Sequence, residues 1–149
     1  MNKKLNFNND TRAKLKEGID AVAKAVAVTL GAKGRIVGIE RPNQAPHMTK
    51  DGVSVAKTVF FKDREVNMGA QLIKGVADKT ADDAGDGTST ATILAAALIT
   101  EGIKNVTAGA NPIDLKRGID KAVRAVVEYL NETATPISSN EQIFQVATI

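Results

Sequence analysis

Residues 84–92 read Ala84-Gly85-Asp86-Gly87-Thr88-Ser89-Thr90-Ala91-Thr92. Two glycines flank one carboxylate, three hydroxyls follow, and a long Ile-, Leu- and Ala-rich stretch comes next. Glycine tolerates the backbone angles of a sharp reversal, so the segment reads as a turn. Upstream, Met68, Leu72, Ile73, Val76 and Ala77 recur at helical spacing and predict a helix over about Glu65 to Asp83. Downstream, Thr88 opens a helix that reaches about Ala108. Its Ile93, Leu94, Ala97, Leu98 and Val106 are apolar on more than one side, which predicts a central helix. A helix, a glycine turn and a second helix set the fold class as mainly α.

The rest of the chain agrees. Leu15, Ile19, Val22, Val26 and Leu30 form one face of a helix from about Asp10 to Leu30. Asp10 or Thr11 can cap its start, and Gly31 follows its end, where a left-handed cap is expected. Arg35-Ile36-Val37-Gly38-Ile39-Glu40 reads as a strand, Arg41 to Pro46 as a turn, and His47-Met48-Thr49 as a short return arm. A hairpin of this size is marginal alone and needs strands from elsewhere. Lys50-Asp51-Gly52 breaks the chain before a short helix over Val53 to Val59. Asn111-Pro112 starts a helix over Ile113 to Asn131, striped by Ile119, Val123, Val126, Val127 and Leu130. Thr133 to Pro136 is a linker. Ser138 or Ser139, with Glu141 or Gln142, caps a last helix over Asn140 to Ile149. The pattern stops on apolar residues with no polar cap, so the chain reads as a piece of a longer one.

Composition excludes several classes. The 149 residues hold no cysteine, so a disulfide scaffold, a Cys-based zinc site and a thiol nucleophile are out. The lack of cysteine fits a reducing compartment. A single histidine, His47, cannot build a His-rich metal cluster and reads as a turn or interface residue. Met48 and Met68 read as packing residues. Apolar residues are 43% and aromatics 3%, so the core must be built from Ala, Val, Ile and Leu. No apolar run approaches the roughly 20 residues of a membrane span. The net charge is +3, from 20 basic against 17 acidic residues, and no basic run with interleaved aromatics suggests nucleic acid.

Three glycine-polar segments carry candidate chemistry. At Asp86-Gly87-Thr88-Ser89-Thr90 a helix start offers free N–H groups and partial positive charge, which suits phosphate. Asp86 would repel a bare phosphate unless a cation lay between them, and Mg²⁺ takes one or two carboxylates plus phosphate oxygens. The Gly-Lys-Ser/Thr core of a P-loop is absent. At Thr29-Leu30-Gly31-Ala32-Lys33-Gly34-Arg35 two glycines bracket a lysine. At Thr49-Lys50-Asp51-Gly52 the lysine could meet a phosphate and the carboxylate a metal or water. Each segment alone reads more simply as a helix cap or turn. Together they suggest a Mg-nucleotide phosphate site built from helix ends.

Leu30 to Arg35, Thr49 to Ala56, Asn67-Met68-Gly69-Ala70-Gln71, Ala84 to Thr88 and Asn111 to Asp120 resemble, in order, the group I chaperonins of the GroEL type. The resemblance covers nearly the whole chain. It implies a helical equatorial ATP-binding domain over residues 1–135, incomplete here, and the start of an intermediate domain over 136–149. It implies ATP and Mg²⁺ as cofactors, with K⁺ a further candidate. Carried over by position, Thr29, Leu30, Gly31, Ala32, Lys50, Asp51, Gly52, Asp86, Gly87, Thr88, Ser89 and Thr90 would bind nucleotide. Asp86 would hold the metal, and Asp51 would be catalytic by holding the attacking water. The family usually has Pro in place of Ala32 and Thr in place of Ser89. The Arg35 to Thr49 hairpin would be an inter-subunit arm, Lys3 to Phe7 a shared strand, and Lys104 to Gly109 would face an opposite ring.

The resemblance further implies a homo-oligomeric double ring in the cytoplasm, non-native client proteins and a lid-like co-chaperonin, with no nucleic acid or membrane partner. The family's main catalytic carboxylate and its adenine contacts fall in later segments, so the chain by itself is expected to lack turnover. The alternative is a naturally short, non-enzymatic module that inserts into chaperonin rings.

Overall fold

The computed structural model describes residues 5–7 and 9–148. It divides into two compact units, Met1–Thr107 and Ala108–Ile149. The first contains α1 (Asn9–Ala27), β1 (Val37–Arg41), β2 (Gln44–Thr49), α2 (Gly52–Thr58), α3 (Arg64–Ala84) and α4 (Thr88–Thr107); the second contains α5 (Pro112–Thr133) and α6 (Asn140–Thr148).

In the first unit Ile19, Val22 and Val26 of α1 pack against Ala56 of α2, Ala70 and Ile73 of α3 and Ala96 of α4. The core is aliphatic, as the scarcity of aromatics requires. Small residues let the helices approach closely. A β-carbon on Gly18 of α1 would overlap the Val66 carbonyl oxygen, and one on Gly69 of α3 would overlap the Leu15 carbonyl oxygen. The two helices therefore cross backbone to backbone, at the expense of about 1 kcal/mol of helix propensity per glycine. Lys14 of α1 bridges Asp63 (3.1 Å) and Glu65 (3.2 Å) at the start of α3. The Asp63 side chain caps that helix through the Glu65 and Val66 N–H groups.

Among the described residues one cation lies in this interior. Lys74 of α3 is only 7% exposed. Its Nζ donates to the Lys57 carbonyl (3.2 Å) and, more closely, to that of Val59. Burial lowers its pKa below a lysine's ordinary value, opposed by the charge of Asp78.

β1 and β2 form an antiparallel hairpin, with Val37 opposite Thr49, Gly38 opposite Met48, Ile39 opposite His47 and Arg41 opposite Gln44. A register shift falls between Ile39 and Arg41. The hairpin is longer than its sequence suggests. Gln44-Ala45-Pro46 belong to β2, not to the turn, because Asn43 takes φ 58° and reverses the chain tightly.

Other expectations shift as well. The first helix ends at Ala27, not Leu30. Thr29 N–H bonds the Val26 carbonyl (3.0 Å), Leu30 N–H bonds that of Ala27 (3.2 Å), and the Thr29 hydroxyl also takes the Val26 carbonyl (2.8 Å). These three-residue steps tighten the last turn and swing Leu30 outward. The helix starts at Asn9, so Asp10 lies in its first turn and is not its cap. On α3 the buried face is Val66, Gly69, Ala70, Ile73, Lys74 and Ala77, and Met68 and Leu72 are exposed. The close glycine crossing turns that face toward α1. α4 is not central: it buries only Thr92 and Ala96, and Leu94 and Leu98 are exposed. Residues 5–7 carry no strand, and Lys3 and Lys4 lie outside the described residues.

In the second unit Asn111 caps α5 through the Ile113 N–H, with Pro112 at its first turn. Ser139 accepts from the Gln142 N–H (3.3 Å), and the Gln142 side chain reaches back to the Ser138 N–H (2.8 Å), so α6 carries the expected cap. No residue of α5 or α6 is buried. No helix among the described residues is long and apolar enough to cross a membrane.

Candidate functional site

Three chain segments meet where α1 ends and α2 and α4 begin. Gly52, the first residue of α2, is buried. A β-carbon there would overlap Ser89 Oγ, stand 3.1 Å from Val26 Cγ1 and 3.3 Å from Ser89 Cβ. Glycine is thus required for α2 to seat between the last turn of α1 and the first turn of α4. Of the residues singled out in the sequence, this contact unites Gly52 with Ser89 directly. It draws in Thr29 through the Thr29–Val26 hydrogen bonds.

Asp51 is the N-cap of α2. One carboxylate oxygen accepts from Val53 N–H (3.2 Å), the other from Ser54 N–H (2.9 Å) and the Ser54 hydroxyl (2.6 Å). These bonds, the Ser54 hydroxyl foremost, hold the carboxyl below its ordinary pKa, against a smaller opposing effect of burial. Thr49 Oγ1 accepts from the Asp51 N–H at 3.0 Å. Asp51 is therefore ionised, oriented and still exposed. Lys50 beside it is exposed.

The α4 start differs from its neighbours. Side chains cap α2, α3 and α5, but Gly87 stands before α4 with φ 81° and no side chain to offer. Among the described residues the Ala91 N–H bonds the Gly87 carbonyl (2.9 Å), and no partner occupies the N–H groups of Thr88, Ser89 and Thr90. Those are the orphan donors of a helix start, aimed outward with the positive end of the helix dipole. Asp86 bonds its neighbour's N–H (Gly87, 2.7 Å) through one carboxylate oxygen and is exposed. The Thr92 hydroxyl turns inward to the Thr88 carbonyl (2.7 Å) and is fully buried, so it is structural.

The loop after α1 is closed by Gly34 N–H to the Gly31 carbonyl (2.9 Å) and Arg35 N–H to the Val28 carbonyl (2.7 Å). Gly31 has φ 77°. A β-carbon on Gly34 would overlap the Thr29 carbonyl oxygen and crowd that of Gly31. Leu30, Gly31, Ala32 and Lys33 are exposed along this loop.

The donor set is chemically suited to a phosphate with a hard cation: uncapped N–H groups, hydroxyls, and carboxylates but no thiol or imidazole. No group of three or more acidic, His or Cys side chains among the described residues forms a ready metal cage. A cation here would have to be shared with phosphate oxygens. Sequence reasoning missed Val26 and Ser54. The signal for Ser54 was its position three residues after Asp51, where a hydroxyl can reach a capping carboxylate. Val26 was legible only as core.

A mainly helical domain that gathers helix ends around exposed glycine turns defines the class of protein. The chain belongs to the TCP-1/cpn60 chaperonin family, whose sequence pattern it matches over residues 22–149. Its six described helices and small hairpin agree with a chaperonin equatorial domain. The fold is similar to the crystal structure of the chaperonin gp146 from the bacteriophage EL 2 (Pseudomonas aeruginosa), determined in the presence of ATP-BeFx. The two share 27% sequence identity with a TM-score of 0.70, over 87% of this chain and 22% of the phage protein. The chain thus spans about a fifth of that protein's length.

Proposed function

We propose that the chain is the N-terminal part of an ATP-dependent chaperonin and carries the phosphate and Mg²⁺ side of its ATP site. The observation that carries this reading is the seat of Gly52 against Ser89, which joins two glycine-polar segments far apart in sequence and leaves the α4 start uncapped beside them. Family membership and the ATP-BeFx in the phage relative's crystals support it. In this reading residues 1–135 are the equatorial domain and 136–149 the start of the intermediate domain.

The Thr88, Ser89 and Thr90 N–H groups and hydroxyls would hold phosphate oxygens, with Lys50 and the Thr29 to Ala32 loop alongside. Asp86 would bind Mg²⁺, with K⁺ a further cation. Bound Mg²⁺ would supply charge neutralisation to the transferring phosphoryl group. Asp51, ionised and fixed by Ser54, would orient the attacking water. The double ring, client proteins, lid-like co-chaperonin and cytoplasmic setting belong to the same reading.

The test is isothermal titration of the native protein with Mg-ATP, compared with the D86A and D51N variants. Binding lost in D86A, with binding kept and hydrolysis strongly slowed but measurable in D51N, is the expected result. Mg-ATP binding of equal strength in all three would rule the site out. The isolated 149-residue chain is expected to show no turnover.

A further inference from the structure

A buried ammonium is expensive to keep in an aliphatic core unless its N–H groups find hydrogen-bond acceptors. Lys74 is such a group. It lies on the buried face of α3 between Ile73 and Ala77, yet among the described residues no carboxylate pairs with it directly. Asp78, whose charge acts on it, is itself paired with Lys57 at 3.3 Å. What Lys74 grips are two backbone carbonyls, Lys57 and Val59, at the C-terminal end of α2.

Among the described residues two further hydrogen bonds hold that end. The Val59 N–H reaches back to the Ala56 carbonyl (3.3 Å), and the Thr58 hydroxyl to that of Val55 (2.8 Å). A cation over the carbonyl end of a helix also meets the negative end of its dipole. α2 runs only from Gly52 to Thr58. At 1.5 Å per residue its two ends are about 10 Å apart, joined by a single rigid rod. Its other end carries Asp51 as cap and Gly52 against Ser89. The helix is thus held at both ends: by glycine contact at its start, and by the Lys74 ammonium at its finish.

We infer that Lys74 is a positioning residue for the nucleotide site, seating α2 by its carbonyl end and thereby fixing where Asp51 and Gly52 stand. The inference rests on the proposed function for its catalytic consequence, but not for its structural one. Releasing the carbonyls would let α2 slide or tilt along its short axis. Misplacement of a positioned group by about 1 Å can cost on the order of 100-fold in rate.

The experiment uses K74M, D51N and the double variant in the native full-length protein, with K74R as the variant that keeps a cation over the carbonyls. Two readouts are taken. The first is amide hydrogen exchange at Val53 and Ser54, whose N–H groups bond Asp51. K74M is expected to speed it about tenfold, with the amides in the middle of α3 unchanged and K74R close to wild type. The second is kcat for ATP hydrolysis. K74M is expected to lose about 10- to 100-fold in the wild-type background and less than about threefold in D51N, because both changes act through one carboxylate.

Unchanged exchange at Val53 and Ser54 overturns the inference. So does an equal fold-loss of kcat in both backgrounds, which would mark Lys74 as merely structural. Faster exchange together with a D51N variant of normal turnover would retain the clamp and refute the nucleotide role of Asp51. Should K74M fail to fold, K74Q carries the same two readouts, since it fills the site with a neutral donor.

Discussion

Gly52 at the start of α2 lies directly beneath Ser89 in the first turn of α4, with no room between them for a β-carbon. Two residues from separate glycine-polar segments thus share one packing position. The methyl group of a G52A variant would have to displace the Ser89 hydroxyl and press on Val26. Overpacking of this kind costs about 1–3 kcal/mol. G52A should lower the thermal midpoint and weaken Mg-ATP binding. G52A combined with S89A should recover part of the stability, because the overlapped oxygen is gone. Thermal melts of the single and double variants decide it, and strictly additive losses would contradict the contact.

The α1–α3 crossing makes a stronger claim. Gly18 and Gly69 each face a carbonyl oxygen of the opposite helix, and backbone cannot rotate aside as a hydroxyl can. Alanine is the better helix former by about 1 kcal/mol. G18A and G69A should nevertheless destabilise by about 3 kcal/mol or more through forced separation of the helices. Denaturant midpoints measure this. Gly75, on the exposed side of α3 with nothing near its β position, is the control, and G75A should stabilise by up to about 1 kcal/mol.

Acid should loosen the start of α2. Asp51 is held below its ordinary pKa of 3.8, chiefly by the Ser54 hydroxyl. A carboxyl depressed in the folded state binds protons more readily when unfolded. Its contribution to stability is therefore full above the unfolded value and is lost as pH falls through the lower folded value. S54A removes the largest cause, so its folded value moves toward the unfolded one, and its acid loss of stability should be smaller and complete at higher pH than in wild type. D51N should flatten the dependence in that window while costing under about 1 kcal/mol at neutral pH, since Asn also caps helices. Thermal midpoints across the acid range would expose the opposite order if the assignment were wrong.

The loop after α1 can be rigidified. Gly31 to Gly34 form a turn closed by one hydrogen bond, and exposed Ala32 sits at its second position, where proline is favoured. A32P should stabilise by about 0.5–1 kcal/mol by restricting the unfolded chain. G31A should cost a comparable amount, because Gly31 has φ 77°. A denaturation series on both variants shows the opposite signs or refutes the turn assignment.

The helices were legible because each carries its own punctuation. Asp51, Asp63 and Asn111 cap their helices through local hydrogen bonds, Pro112 opens α5, and Gly85 closes α3 at φ 73°. Such signals act over a few residues and need no partner. The site residues were legible as types: glycines beside hydroxyls and carboxylates at helix ends. Periodicity could not say which side of a helix faces which neighbour. Met68 and Leu72 share the spacing of Ile73, yet the Gly18–Gly69 approach turned α3 so that they are exposed and Lys74 is buried. Leu30 continued the stripe of α1 but left it where Thr29 tightened the last turn.

By itself, then, the sequence determined the helical class, most helix boundaries, the family pattern and the chemistry available at each helix end. Only the tertiary structure decided that Gly52 meets Ser89, that Val26 closes the contact, and that the uncapped α4 start stands beside them. The physical reason is range. Caps and turns are settled by bonds between near neighbours, whereas a site shared by three helix ends depends on how closely their backbones can pack.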